Sequence, residues 1–163
     1  MCGIVAYIGD KDPKPIIIGG LQRLEYRGYD SAGILVCNNT KYQLTKITGK
    51  VNALSKMLET KPNIAPHLGI GHTRWASHGI PNDKNAHPHY SNSGKLYMVH
   101  NGIIENYDSL KMELIKRGYS FYSETDSEVL VNLIQEIKVK ENVKLHKAVQ
   151  LALNQVVGAY GIV

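Results

Sequence analysis

Cys2 is the first residue whose chemistry stands out. It directly follows Met1, and its small side chain permits aminopeptidase removal of that methionine, which would place a thiol and a free α-amine on one residue. An α-amine titrates near ~7.7–8.0 and a thiol near ~8.5, so the amine can take the thiol proton at neutral pH without a separate histidine. The competing reading is a small residue buried at the start of a strand. Five of the seven histidines, His72, His78, His87, His89 and His100, fall within positions 72–100, which raises the question of a metal. No HExxH pair accompanies them, neither cysteine lies among them, and the thiol chemistry needs no Lewis acid. No metal and no cofactor is therefore expected. Asn101-Gly102, taken alone, reads as a turn dipeptide.

The elements that must position these residues follow from local pattern. Gly3 to Ile8 is a short apolar run that reads as a buried strand with Cys2 at its leading end. Asp12 caps a helix that begins at Pro13, carries Ile17, Leu21 and Leu24 on one face and stops by Gly28. Ile34 to Val36 and Tyr42 to Ile47 form a hairpin across Asn38-Asn39-Thr40, and Val51, Leu54 and Leu58 mark a short helix before Pro62. Leu68 to Thr73 and Leu96 to His100 are two further strands. Between them, residues 74–95 show little periodicity and dense polar chemistry, the profile of a functional loop. Tyr107, Leu110 and Leu114 repeat with helical spacing up to Gly118. Thr125 and Glu128 form a capping box ahead of Leu130, Leu133, Ile134 and Ile137. A last helix carries Leu145, Ala148, Val149 and Ala152, and a strand begins near Gly158.

The chain has 163 residues, 43% of them hydrophobic and 20% charged, which suits one soluble globular domain over 1–163. No apolar run reaches the ~20 residues of a membrane helix, and residues 1–20 lack the pattern of a signal peptide, so a cytoplasmic protein is expected. Two cysteines are too few for a disulfide framework. The net charge of +5 permits weak attraction to anions. Its densest basic group, Lys138, Lys140, Lys144 and Lys147, is interrupted by Glu141 and matches no nucleic-acid-binding motif, so it reads as a solvated surface.

CGIVAYIG, LEYRGYDSAG, GIGHTRWASHG, NAHPH, VHNGIIEN and SETDSE occur in this order along the chain. Together they resemble the glutaminase domains of class II glutamine amidotransferases, and LEYRGYDSAG with HTRWASHG points to the glutamine:fructose-6-phosphate aminotransferase branch. The resemblance implies an α+β fold, the N-terminal-nucleophile αββα sandwich of two antiparallel sheets covered by helices. It also implies that the domain continues past Val163 and that a sugar-phosphate isomerase domain is absent. Glutamine and glutamate are the expected small-molecule partners. Fructose 6-phosphate would be reached only through the missing isomerase domain, neither nucleic acid nor membrane is a partner, and a homodimer is an option for the full-length enzyme.

Glutamine amide hydrolysis requires a nucleophile, a proton shuttle, oxyanion donors and charge partners for the substrate's α-groups. By resemblance, Cys2 is the nucleophile, and the Asn101 amide and Gly102 N–H hold the oxyanion. Arg74 takes the α-carboxylate through its planar fork, and Asp126 takes the α-ammonium. Glu124 and Glu128 are read as capping or surface carboxylates. Trp75, Ser77 and His78 belong to a loop over residues 74–81 that closes on glutamine, with Trp75 shutting the ammonia passage, although a lone Trp is as readily a core anchor. Ser77 stands where the family usually has Thr. His87 orders that loop, and Arg27 ties the strand start to its neighbours. The alternatives are another class II enzyme, such as an amidophosphoribosyltransferase, or a non-catalytic fragment that acts as an association module.

Overall fold

A computed structural model describes every residue except Met1, Ser77 and His78; the expectations for Ser77 and His78 thus lie outside the described residues. The elements run β1 (Gly3–Ile8), α1 (Pro13–Leu24), β2 (Ser31–Cys37), β3 (Tyr42–Thr48), α2 (Val51–Glu59) and β4 (Leu68–Arg74). They continue with β5 (His89–Tyr90), β6 (Tyr97–Met98), β7 (His100–Ile104), α3 (Tyr107–Lys116), α4 (Asp126–Lys140), α5 (Leu145–Leu153) and β8 (Gly158–Ile162). A 3-10 turn, Glu25–Arg27, follows α1.

Among the described residues one antiparallel sheet has the strand order β1-β4-β2-β3, and β5-β6 and β7-β8 form two short antiparallel ladders. In β2, Ala32, Ile34 and Val36 point to one face of the sheet, where they pack with Ile17, Ile18 and Leu21 of α1 and Val51, Leu54 and Leu58 of α2. Leu35 points to the other face, toward Ile70 and Val99. This period-2 alternation sets the layers. Beyond Val99, residues Met98 and Ile104 join Leu114 of α3, the apolar stripe of α4, and Ala148 and Ala152 of α5 in a second core. The order of layers is helix, sheet, strand ladders, helix, which is the expected α+β sandwich. Each fully buried Ile or Leu contributes about 1.5–3 kcal/mol to holding these layers together.

The helix starts are fixed locally. Asp12 accepts a hydrogen bond from the Lys14 N–H at 2.9 Å, with Pro13 in the first turn. At α2 the carboxylate of Glu25 accepts from the Val51 N–H at 2.7 Å, so the 3-10 turn caps the next helix from a distance in sequence.

Three sequence expectations change. The run Leu96 to His100 is not one strand: Tyr97 and Met98 pair with β5, while Val99 exchanges hydrogen bonds of 2.9 and 3.1 Å with Val163 and the chain then continues into β7 beside β8. The backbone stays extended while its partner changes, which no local pattern specifies. Asn101-Gly102 is not a turn either, because both residues sit inside β7, paired with Gly161 and Tyr160. Gly102 has φ +135°, and a Cβ there would lie 2.1 Å from the Ala159 carbonyl oxygen, so the glycine serves a strained close approach. Lastly, the capping box is half made. Thr125 Oγ1 accepts from the Glu128 N–H at 3.4 Å, but the Glu128 carboxylate turns to the N–H groups of Tyr122 and Ser123 at 2.9 and 2.6 Å. Glu128 is thereby buried rather than a surface carboxylate.

Candidate active site

Cys2 immediately precedes β1, whose register pairs Gly3 with Thr73 of β4. That pairing brings Cys2 to the residues that follow β4. The Trp75 backbone N–H donates to Cys2 Sγ at 3.1 Å, and Sγ lies 3.5 Å from the Trp75 carbonyl oxygen. The Gly3 N–H donates to Thr73 Oγ1 at 3.2 Å, which fixes the backbone beside the thiol. Burial pushes the Cys2 thiol pKa up, and the Trp75 N–H opposes that by favouring the thiolate. Cys2 opens onto a cleft whose wall also includes Arg74, Trp75, Gly102, Asp126 and Ser127.

Arg74 is 3% exposed. Its Nη2 donates to the Gly79 carbonyl at 3.1 Å and its Nη1 reaches the Ile80 carbonyl at 3.5 Å, so the guanidinium pins the returning loop. Burial pushes its pKa down, and Asp30, Cys2 and Asp126 favour the cation. Asp30 also accepts from the Ala76 N–H and, at 3.0 Å, from Ser31 Oγ, while its own N–H donates to the Arg74 carbonyl at 3.1 Å. Gly28 lies against the same backbone, where a Cβ would come 2.7 Å from the Arg74 carbonyl carbon. The sequence reading singled out only Arg27 from this motif. Arg27 sits half-buried at the end of the 3-10 turn, while Gly28 and Asp30 fasten the segment after β4. The signal that could have revealed Asp30 was its place in LEYRGYDSAG beside a residue already flagged.

On the opposite wall, Asp126 is the first residue of α4, a position favoured for an acid by the helix dipole. Its Oδ2 accepts from the Ile104 N–H at 2.9 Å, which joins the helix start to β7. The Asn101 amide donates from Nδ2 to the Cys2 carbonyl at 3.1 Å, and its Oδ1 faces His72 Nε2 at 2.8 Å. Trp75 is 52% exposed and meets Tyr29 edge-on with ring centroids 5.6 Å apart, so it is no core anchor.

His72, His87, His89 and His100 form a buried group at the cleft, with His87 and His100 in its lining. His72 and His87 stack with centroids 4.1 Å apart, and His87 meets His89 edge-on at 4.5 Å. Ser127 Oγ lies 2.9 Å from His87 Nε2 and 2.8 Å from His100 Nδ1, linking both rings to α4. Among the described residues, His87 is tied through Ser127 to the start of α4. Burial pushes His72 down to about 4 and lowers His87 and His89 in the same direction, so these rings are neutral at pH 7. Ser127 was missed because a serine inside SETDSE carries no sign of two histidine partners.

A larger hollow of about 400 Å³ lies between α1 and α2, but its lining includes no thiol, and Lys14 and Glu59 are its only charged groups. The cleft at Cys2 instead gathers a thiol, a guanidinium and a carboxylate.

The chain matches the glutamine amidotransferase domain family over residues 59–149, more than half its length. The chain belongs to this family. Within it, a glutamine–fructose-6-phosphate aminotransferase (isomerizing) of Bacteroides thetaiotaomicron is 56% identical over 163 residues, covering 99% of the chain and 26% of the relative. One from Pyrococcus horikoshii is 49% identical over 164 residues, covering 100% of the chain and 27% of the relative. The chain thus spans about a quarter of the length of the curated relatives it matches. A solved glutamine phosphoribosylpyrophosphate amidotransferase of B. subtilis shares the fold with a TM-score of 0.83 at 26% identity, covering 99% of this chain and 34% of that one. Within this amidotransferase domain, the matched segment holds Arg74, Trp75, Asn101, Gly102 and Asp126, while Cys2 precedes it.

Proposed function

We propose that this domain hydrolyses the side-chain amide of glutamine to glutamate and ammonia. The observation that carries the reading is the convergence of Cys2, Arg74, Gly102 and Asp126 on one cleft, with the Asn101 amide tied to Cys2. Cys2 Sγ attacks the δ-carbonyl. The Cys2 α-amine takes the thiol proton and passes it to the leaving ammonia, and water then cleaves the thioester. The oxyanion is held by Asn101 Nδ2 and the Gly102 N–H. Arg74 and Asp126 face the α-carboxylate and α-ammonium as opposite charges, and the second oxygen of Asp126 remains to receive the cation after Oδ2 has taken the Ile104 N–H. Trp75 borders the cleft beside Cys2 and would restrict the path of ammonia.

The relatives' names support a finer reading, in which a longer form of this protein passes the ammonia to fructose 6-phosphate in an isomerase domain. We place that activity in the cytoplasm. The amidophosphoribosyltransferase alternative survives only as a related family sharing the fold.

This mechanism requires Cys2 to be the N-terminus, because a peptide bond to Met1 turns its nitrogen into a non-basic amide. The test is a glutaminase assay on chain freed of Met1, verified by intact mass. Cys2→Ala should abolish hydrolysis with unfolding unchanged, and a glutamine-like diazo-ketone should label Cys2 and spare Cys37. Appreciable hydrolysis by the Cys2→Ala chain, or full activity with Met1 retained, would refute the thiol and amine roles.

A further inference from the structure

We infer that His72 is a positioning residue that decides which way round the Asn101 carboxamide faces, keeping its nitrogen toward the nucleophilic residue. This deepens the proposed glutaminase reading and rests on Asn101 as an oxyanion donor. His72 Nε2 lies 2.8 Å from Asn101 Oδ1 and 3.1 Å from the His100 carbonyl oxygen. A backbone carbonyl can only accept, so Nε2 carries the proton and donates. At its other end, the amide nitrogen lies 3.1 Å from the Cys2 carbonyl oxygen, which is again only an acceptor. Each end of the carboxamide thus meets a group of fixed polarity. Turned over, Asn101 would set oxygen against oxygen at Cys2 and N–H against N–H at His72.

The ring is itself constrained. His72 is fully buried, it stacks on His87, and among the described residues its Nδ1 has no hydrogen-bond partner. A proton on Nδ1 would be stranded there and would leave Nε2 facing two oxygens lone pair to lone pair. His72 comes from β4 and Asn101 from β7, so the contact also joins the strand that leads to Arg74 with the strand that carries the oxyanion donors. One hydrogen of the Asn101 amide is used on Cys2, and the second is left for the developing negative charge. The contact selects a donor over an acceptor at the point where charge appears, so it should act on kcat rather than on substrate binding.

Two measurements on Met1-free chain test this. Nitrogen-15 NMR of the histidine rings between pH 6 and 8 should show His72 as the Nε2–H tautomer; an Nδ1–H or doubly protonated ring overturns the proposal without reference to activity. In steady-state glutaminase kinetics, His72→Ala should lower kcat about 10- to 100-fold with KM within about 3-fold, while adding it to Asn101→Ala should cost less than about 2-fold more. His72→Gln, which can still donate to Oδ1, should recover most of kcat. An equal loss in both backgrounds would show a structural role only and overturn the inference. If His72→Ala does not fold, the ring tautomer and His72→Gln decide, since a folded His72→Gln chain as poor as Asn101→Ala also overturns it. Unchanged kcat in Asn101→Ala would refute the oxyanion role of Asn101, an outcome distinct from an Nδ1–H ring.

Discussion

The wall of the cleft that carries Asn101, Gly102 and Asp126 is made of paired backbone: β7 is laddered to β8, and Asp126 bonds the Ile104 N–H from the start of α4. The wall that carries Trp75 hangs instead on side chains, with Arg74 holding the Gly79 carbonyl and Asp30 holding the Ala76 N–H. The first wall carries Asp126 and the proposed oxyanion donors, and these donors are set by strand register. The described part of the second is fastened by a few polar contacts. Rigid donors belong where charge develops, because reorganising them during reaction would raise the barrier. A covering segment has to admit and release its ligand.

The sharpest break in this comparison comes from the rigid wall. Asn101→Ala should lower glutaminase kcat about 10²- to 10³-fold while KM moves little, since the oxyanion exists only past the ground state. Parallel steady-state kinetics of the two chains measures this. A dominant rise in KM would mean that Asn101 binds substrate rather than its transition state.

The buried histidines at the cleft give the next effect, one of stability. Burial holds His72 at about 4, below the ~6.5 of an unfolded histidine. The unfolded chain therefore binds this proton first, and stability is complete above about pH 6.5 and is lost as pH falls toward 4. His72 alone accounts for about 3 kcal/mol over that window, and His87 and His89 act in the same direction. Urea midpoints should drop steeply between pH 7 and 4.5, and His89→Gln should make the slope shallower. A midpoint constant across that range would show that the rings are not held neutral.

How much of this was legible in the sequence differs between the walls. The elements were, because Asp12 with Pro13, the stripe Ile17 to Leu21 and the alternation in β2 are local signals. The partner switch at Val99 and the strand position of Gly102 were not, since both depend on β8, more than fifty residues later, and an Asn-Gly pair looks like a turn unless the Ala159 backbone is known to press on it. Cys2 was flagged by its own chemistry against the competing reading of a buried strand residue, whereas Arg74, Asn101 and Asp126 came only through family likeness. Gly28, Asp30, His72 and Ser127 act through neighbours that no spacing brings together: Asp30 reaches Ala76, and Ser127 reaches His87 and His100.

A smaller break is expected at the junction of the walls. Arg74→Lys keeps the charge but loses the planar fork and its hold on the loop carbonyls, so KM for glutamine should rise about 10-fold with a lesser change in kcat. A variant that lost kcat at constant KM would move Arg74 from substrate binding to the chemical step.

The smallest effect belongs to Trp75, and its size decides whether the second wall is a cover or a support. The side chain is 52% exposed and its described aromatic partner is Tyr29, edge-on at 5.6 Å. An edge-on aromatic pair contributes about 0.5–1.5 kcal/mol beyond its buried area. The hydrogen bonds that Trp75 makes to Cys2 use its backbone, which Trp75→Ala retains. Denaturant unfolding should thus show a loss of about 1 kcal/mol, far below the ~3–5 kcal/mol of a deleted core Trp. Glutamine hydrolysis should slow only a few-fold, because the thiol keeps its N–H donor. If Trp75→Ala instead lost stability on the scale of a core deletion, the segment after β4 would be part of the rigid frame, and the contrast between the two walls would fail.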